Sequence, residues 1–187
     1  MSIIATTKGG DFEKAPIGMQ QGVCVFVHDI GLQRGEYLGK QNILHKIIVT
    51  WELAERMTSG EYAGQPFMVS KYYTLSLGEK ANLRKDLESW RGKPFTSEEL
   101  EGFDVERLVG ANCFLNVTAT ENDKRKISAI TPMPRGTPPI QVTMKTPSKN
   151  ILDWIERERA KAVPPSHEVD SMQEPAIPDK EGDDLPF

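Results

Sequence analysis

Between residues 21 and 133 the chain carries five runs dense in β-branched and aromatic residues, interrupted once by helical spacing. The runs are QGVCVFVHDI (21–30), NILHKIIVTWEL (42–53), FMVSKYYTLSL (67–77), ANCFLNVTAT (111–120) and RKISAITPM (125–133). Each reads as a strand, with glycine-rich or polar stretches turning the chain between them. After the third run the pattern changes. In SLGEKANLRKDLESWRG, Ser76 and Glu79 have capping-box spacing, Leu83, Leu87 and Trp90 recur at i, i+4 and i+7, and Gly92 ends the helix. In TSEELEGFDVERLVG, Thr96 and Glu99 repeat the capping-box spacing and predict one or two short helical turns. Five short antiparallel strands must bury one face and protect their edges, and closing into a barrel does both.

This order of three strands, a helix and two strands resembles the oligonucleotide/oligosaccharide-binding (OB) fold, whose helix bridges the third and fourth strands. The expected fold class is mainly β: a five-stranded OB-like barrel with a helix between strands 3 and 4, a C-terminal helix and a disordered acidic tail. The expected domain divisions are a flexible arm over 1–20, the OB-like domain over 21–133, a Pro-rich connector and helix over 134–163, and the tail over 164–187. Ser148 can cap the amphipathic helix KNILDWIERERAKAV, which ends before Pro164 and Pro165. Whether it packs on its own barrel or pairs with a second copy through Trp154 and Ile155 is open at this point.

Charge divides the chain in the same place. From Pro164 onward seven acids face one base, a net −6 within a total of −4, which leaves +2 for residues 1–163. A weakly basic body with an acidic tail is compatible with a polyanion ligand despite the acidic overall balance. Cys24 and Cys113 each sit in an apolar run without a CxxC pair, and read as buried free thiols of a reducing cytoplasm. No apolar run is long enough to span a membrane, and the first residues lack the pattern of a signal peptide. Walker-type, GxGxxG, HExxH and GxSxG motifs are absent, and His28, His45 and His167 are scattered. The expectation is a binding protein that is not an enzyme and carries no cofactor or metal.

In OB folds the face of strands 2 and 3 and the loops joining strands 1–2 and 4–5 do the binding. Here the first loop carries Arg34, Tyr37 and Lys40 and the second Lys124, Arg125 and Lys126. The strands between offer Lys46, Trp51, Lys71, Tyr72 and Tyr73. Cations suit phosphates and flat rings suit bases, each stacked base contributing ~1–3 kcal/mol. Strand alternation points Tyr72 and Tyr73 to opposite faces, so one of them is expected to meet the ligand. Three consecutive cations in a tight hairpin repel one another, which favours a polyanion partner.

The segment VSKYYTLSLGEKANLRKDLESWRGKPF resembles a stretch of small phage-encoded proteins, single-stranded DNA-binding proteins among them. The matching positions are Tyr73, Thr74, Ser76, Glu79, Lys80, Leu83, Leu87, Trp90, Arg91 and Gly92. The closing DKEGDDLPF resembles the acidic tip of bacterial single-stranded DNA-binding proteins, with Leu185 where isoleucine is common and fewer consecutive aspartates. In this resemblance Asp183 and Asp184 steer toward basic partners, and Leu185, Pro186 and Phe187 fill an apolar pocket. The implied function is sequence-nonspecific single-stranded DNA binding in phage replication, recombination or repair, inside the host cytoplasm. The tip then recruits replication, recombination or repair proteins. The alternative is a non-enzymatic protein that captures such factors through the tip without binding DNA. DNA against RNA preference, site size, oligomeric state and partner identity are not written in the sequence.

Overall fold

The computed structural model describes residues 13–37 and 40–164. Within them lie β1 (Gly18–Tyr37), β2 (Lys40–Arg56), β3 (Pro66–Thr74), α1 (Asn82–Arg91) and α2 (Ser97–Glu101). A short 3-10 turn (Val105–Leu108), β4 (Asn112–Ala119), β5 (Arg125–Thr131) and α3 (Lys149–Ala160) follow. The strands form one antiparallel sheet in the order β3-β2-β1-β4-β5. No helix among the described residues is long and apolar enough to cross a membrane.

β1 serves two partners. Its first residues pair with β4 from Gly18↔Val117 to Val23↔Asn112, and the rest pairs with β2 from Gly22↔Leu53 to Tyr37↔Lys40. Two irregularities, between Cys24 and Phe26 and between Asp29 and Gly31, give the strand the bend this requires. Gly22 lies where both ladders overlap, and a Cβ there would stand 2.9 Å from Leu115 Cδ1. The stretch 31–41, expected as a loop, continues the hairpin instead. Its glycines punctuate a ribbon rather than end it: Gly31 pairs with Lys46 and Gly35 with Asn42 within a ladder that runs on to Tyr37↔Lys40.

One face of the sheet holds the main core. Cys24, Val49, Trp51, Leu53, Val69, Tyr73, Leu115 and Ile130 meet Leu83, Leu87 and Trp90 of α1. The rings of Trp51 and Trp90 lie 5.8 Å apart between centroids. Both cysteines are buried free thiols. Burial pushes the Cys24 thiol up to about 12 and raises that of Cys113 as well.

The expected closed barrel does not form. β3 and β5 approach within 8 Å, Cα to Cα, but share no ladder. At one end of this seam α1 takes up the edge groups: Ser89 Oγ donates to the Ile130 carbonyl at 2.6 Å, and Asp86 accepts from Lys71 Nζ at 2.7 Å and Tyr73 Oη at 2.6 Å.

The local helix signals were realised unevenly. Thr96 and Glu99 form the reciprocal capping box at α2, and Ser148 caps α3 through the Ile151 N–H. Gly92 ends α1 in the left-handed region at φ 67°. The Ser76–Glu79 box is absent: Ser76 Oγ accepts from the Gly78 N–H in a tight turn, and α1 starts behind Ala81 with no side-chain cap. The first helical turn is consequently later than the sequence suggests.

Candidate nucleic-acid interface

The residues expected to form one surface are divided among four places. On the β1–β2 ribbon, Arg34 stands opposite Ile43 and Lys40 opposite Tyr37, with Arg34 and Lys40 exposed. Lys46 is half-buried, opposite Gly31 on one side and Thr74 on the other. The base of the ribbon is fastened to α3. The buried Gln33 amide donates to the Ile30 carbonyl at 2.7 Å and the Glu158 carbonyl at 2.9 Å. The Val163 N–H donates to the Leu32 carbonyl at 2.7 Å, and Arg159 Nε to the Asp29 carbonyl at 2.7 Å. Partial burial works against the Asp29 carboxylate, but the Gly31 N–H, His45 and Arg159 outweigh it and hold its pKa below the usual range.

The β4–β5 hairpin turns through Asp123 at φ 56°, a conformation that aspartate tolerates. The Asp123 carboxylate accepts from Lys14 Nζ at 2.6 Å and from Arg125 Nη1 at 2.7 Å. Lys14 first, then Arg125, lower its pKa to about 2. Arg125 Nε also donates to the Ala15 carbonyl at 2.7 Å. The turn supplies its own counter-charge, so repulsion among Lys124, Arg125 and Lys126 does not by itself require a polyanion partner. Lys124 and Lys126 are half-buried beside it.

Two of the expected stacking rings belong to the core. Trp51 is 0% exposed and Tyr73 2%, so neither offers a face to a ligand. Register explains both: Trp51 pairs with Cys24 and Val69, and Tyr73 with Ile47, on the interior side. Lys71 is held by Asp86, 5.4 Å above the Tyr73 ring. Tyr72 is the tyrosine on the opposite face, and its ring meets Trp154 edge-on at 5.5 Å.

That opposite face of β2 and β3, part of the face expected to meet the ligand, is covered. α3 lays Ile151, Trp154 and Ile155 over Ile30, Ile48 and Tyr72, so it packs on its own sheet. Ahead of it the connector crosses the sheet, held by side chains. Gln21 Nε2 donates to the Pro138 carbonyl, and Asn112 exchanges two hydrogen bonds with the backbone of Ile140. Glu52, 0% exposed in the middle of β2, accepts from the N–H groups of Thr143 and Met144, each at 2.9 Å, and from Thr143 Oγ1 at 2.6 Å. Arg56 completes its coordination at 3.3 Å. A buried carboxylate is tolerable only with such partners.

The far end of the β3–β5 seam opens as a cleft of about 470 Å³. Met57, Tyr62, Phe67 and Met68 line it with Lys124 and Arg125, and the first residues of α3 form part of its wall. Sequence reasoning missed Lys14, which lies in the expected loose arm, and Glu52. Neither has a local signal: Lys14 meets its partner 109 residues away and Glu52 its own 91 residues away. The tip residues Asp183, Asp184, Leu185, Pro186 and Phe187 lie outside the described residues, as does the Tyr37 side chain.

No family model, curated protein or solved structure matches this chain.

Proposed function

We propose that the protein binds single-stranded DNA without sequence preference, in phage replication, recombination or repair, and recruits protein partners through its acidic tip. One observation carries this reading: the cations of the β4–β5 turn and those of the β1–β2 ribbon lie toward opposite ends of α3, which rests on β2 and β3. α3 measures that separation, since its first residues share the cleft wall with Lys124 and Arg125 while Val163, just past its end, bonds to Leu32. A 12-residue helix is about 18 Å long. The strand order, with a helix at the β3–β5 seam, also suits an OB-like arrangement left open at that seam, in a fold described as a partly open barrel.

A second reading has one observation in its favour. Because α3 and the connector cover the β2–β3 face, a protein that captures replication or repair factors through its tip, without touching DNA, is consistent with the same fold.

An anisotropy titration of a labelled single strand separates the two. The first reading expects binding at low salt, weak competition by duplex, and affinity that falls steeply with salt through counterion release. Replacing Arg34 and Lys40 with glutamate, or Lys124 and Lys126 with glutamate, should weaken binding at each hairpin and lower the salt slope by about 1 for each phosphate contact removed. Arg125 is left alone because it also fastens Asp123 and Ala15. No binding at low salt, or equal affinity for duplex, contradicts the proposal and leaves the capture reading.

A further inference from the structure

We infer that α3 and the connector, residues 134–160, are a detachable cover over the strand-binding face, which opens when they lift; this rests on the single-strand reading above.

Three features separate the cover from the body. First, its apolar contacts form a cluster of their own. Ile151, Trp154 and Ile155 meet Ile30, Ile48 and Tyr72, and none of these six belongs to the main core. Second, the connector joins no strand ladder. Pro134, Pro138, Pro139 and Pro147 lack the N–H that a ladder needs, and the segment hangs instead on the side chains of Gln21, Asn112 and Glu52. Detaching it therefore breaks no sheet hydrogen bond. Third, the cover lies along the line between the two basic hairpins, the path a single strand would follow between them.

What lies beneath suits the proposed ligand. Tyr72 is the one tyrosine of the expected pair on this face. Phe26 and His28, stacked at 5.6 Å, alternate into the same side of β1, opposite Thr50 and Ile48. Lys46 stands in the same alternating row of β2 as Ile48. Rings and apolar surface flanked by a cation are the surface that unpaired bases stack on. A small satellite cluster held to a continuous sheet is the kind of unit that opens on its own, ahead of global unfolding. While it is closed, apparent affinity is reduced by the fraction of molecules that are open.

The test uses the full chain. Trp154→Ala and Ile151→Ala loosen the cover and should raise single-strand affinity tenfold or more. A lock does the reverse. A Cβ built on Gly31 stands 3.1 Å from Ala162 Cβ, close enough for a disulfide after a small shift, although Gly31 has φ 75°. Gly31→Cys with Ala162→Cys should bind weakly when oxidised and recover when reduced; the native thiols are buried. Hydrogen exchange supplies a readout without DNA: amides of α3 should exchange well before those of β2, and faster still with a single strand bound. The cover is overturned if α3 amides are as protected as those of β2, or if strand binding ignores both the lock and the loosening variants. Early α3 exchange with no strand binding by any variant overturns the single-strand reading together with the cover. Strand binding that ignores both the lock and the loosening variants overturns the cover alone.

Discussion

At Gly22 the absence of a side chain decides how closely two strands approach β1 from either side. An added Cβ would stand 2.9 Å from a methyl of Leu115, a residue with no exposure, and 3.5 Å from the Glu52 carbonyl. Overpacking of this kind costs about 1–3 kcal/mol. Gly22→Ala should lower the urea midpoint accordingly, and an unchanged midpoint would mean that the β1 bend adjusts freely. His28 gives a second residue-scale prediction. Burial, and then the nearby Arg159, lower its pKa, so the native state favours the neutral ring. As pH falls through about 6.5 the unfolded chain takes up a proton that the native state still refuses, and stability drops until the lower folded pKa is passed. His28→Gln should remove part of the stability loss between pH 7.5 and 5.5. Asp123, with its pKa about 2, acts only in a more acid range and does not confuse the comparison.

Among the elements, α2 shows how a five-residue helix stabilises its neighbour. The Thr96 N–H donates to Glu99 Oε2 at 2.9 Å, and the Glu99 N–H returns a bond to Thr96 Oγ1. Glu99 also receives Arg91 from the end of α1, whose guanidinium sits 4.5 Å from the Phe95 ring centroid. The capping box thus ties the start of α2 to the end of α1. Thr96→Ala should cost about 1 kcal/mol, the usual worth of an N-cap. For a chain of this size that corresponds to a melting temperature lower by about 2–4 °C. A larger loss would mean that the Arg91–Glu99 contact depends on the cap as well.

For the whole molecule the governing quantity is how charge is distributed between body and tail. Residues 164–187 carry a net charge of −6 against +2 for the rest of the sequence. On the single-strand reading, an anionic segment on the same chain is a local competitor for the nucleic acid. Deleting residues 164–187 should tighten single-strand binding at low salt, and the gain should shrink as salt rises. Unchanged or weaker binding would remove the competition.

The element types were legible in the sequence because their signals are local. Leu83, Leu87 and Trp90 share one helix face, Thr96 and Glu99 sit one turn apart, and Ser148 precedes its own helix. The β4–β5 hairpin was legible for the same reason, whereas the β1–β2 ribbon over 31–41 reads as a loop in the sequence. Tertiary structure alone decided three other matters. It left β3 and β5 unladdered, with α1 bonded to both through Ser89–Ile130 and through Asp86 to Lys71 and Tyr73. It placed Trp51 and Tyr73 in the core and Tyr72 outside, a choice between two faces that alternation cannot make. It also covered the row of β2 that holds Thr50 and Glu52. The partners that bury Glu52 are 91 and 92 residues further along the chain. Periodicity records which residues share a face, but what lies on that face is set by contacts between distant segments, and no local pattern encodes them.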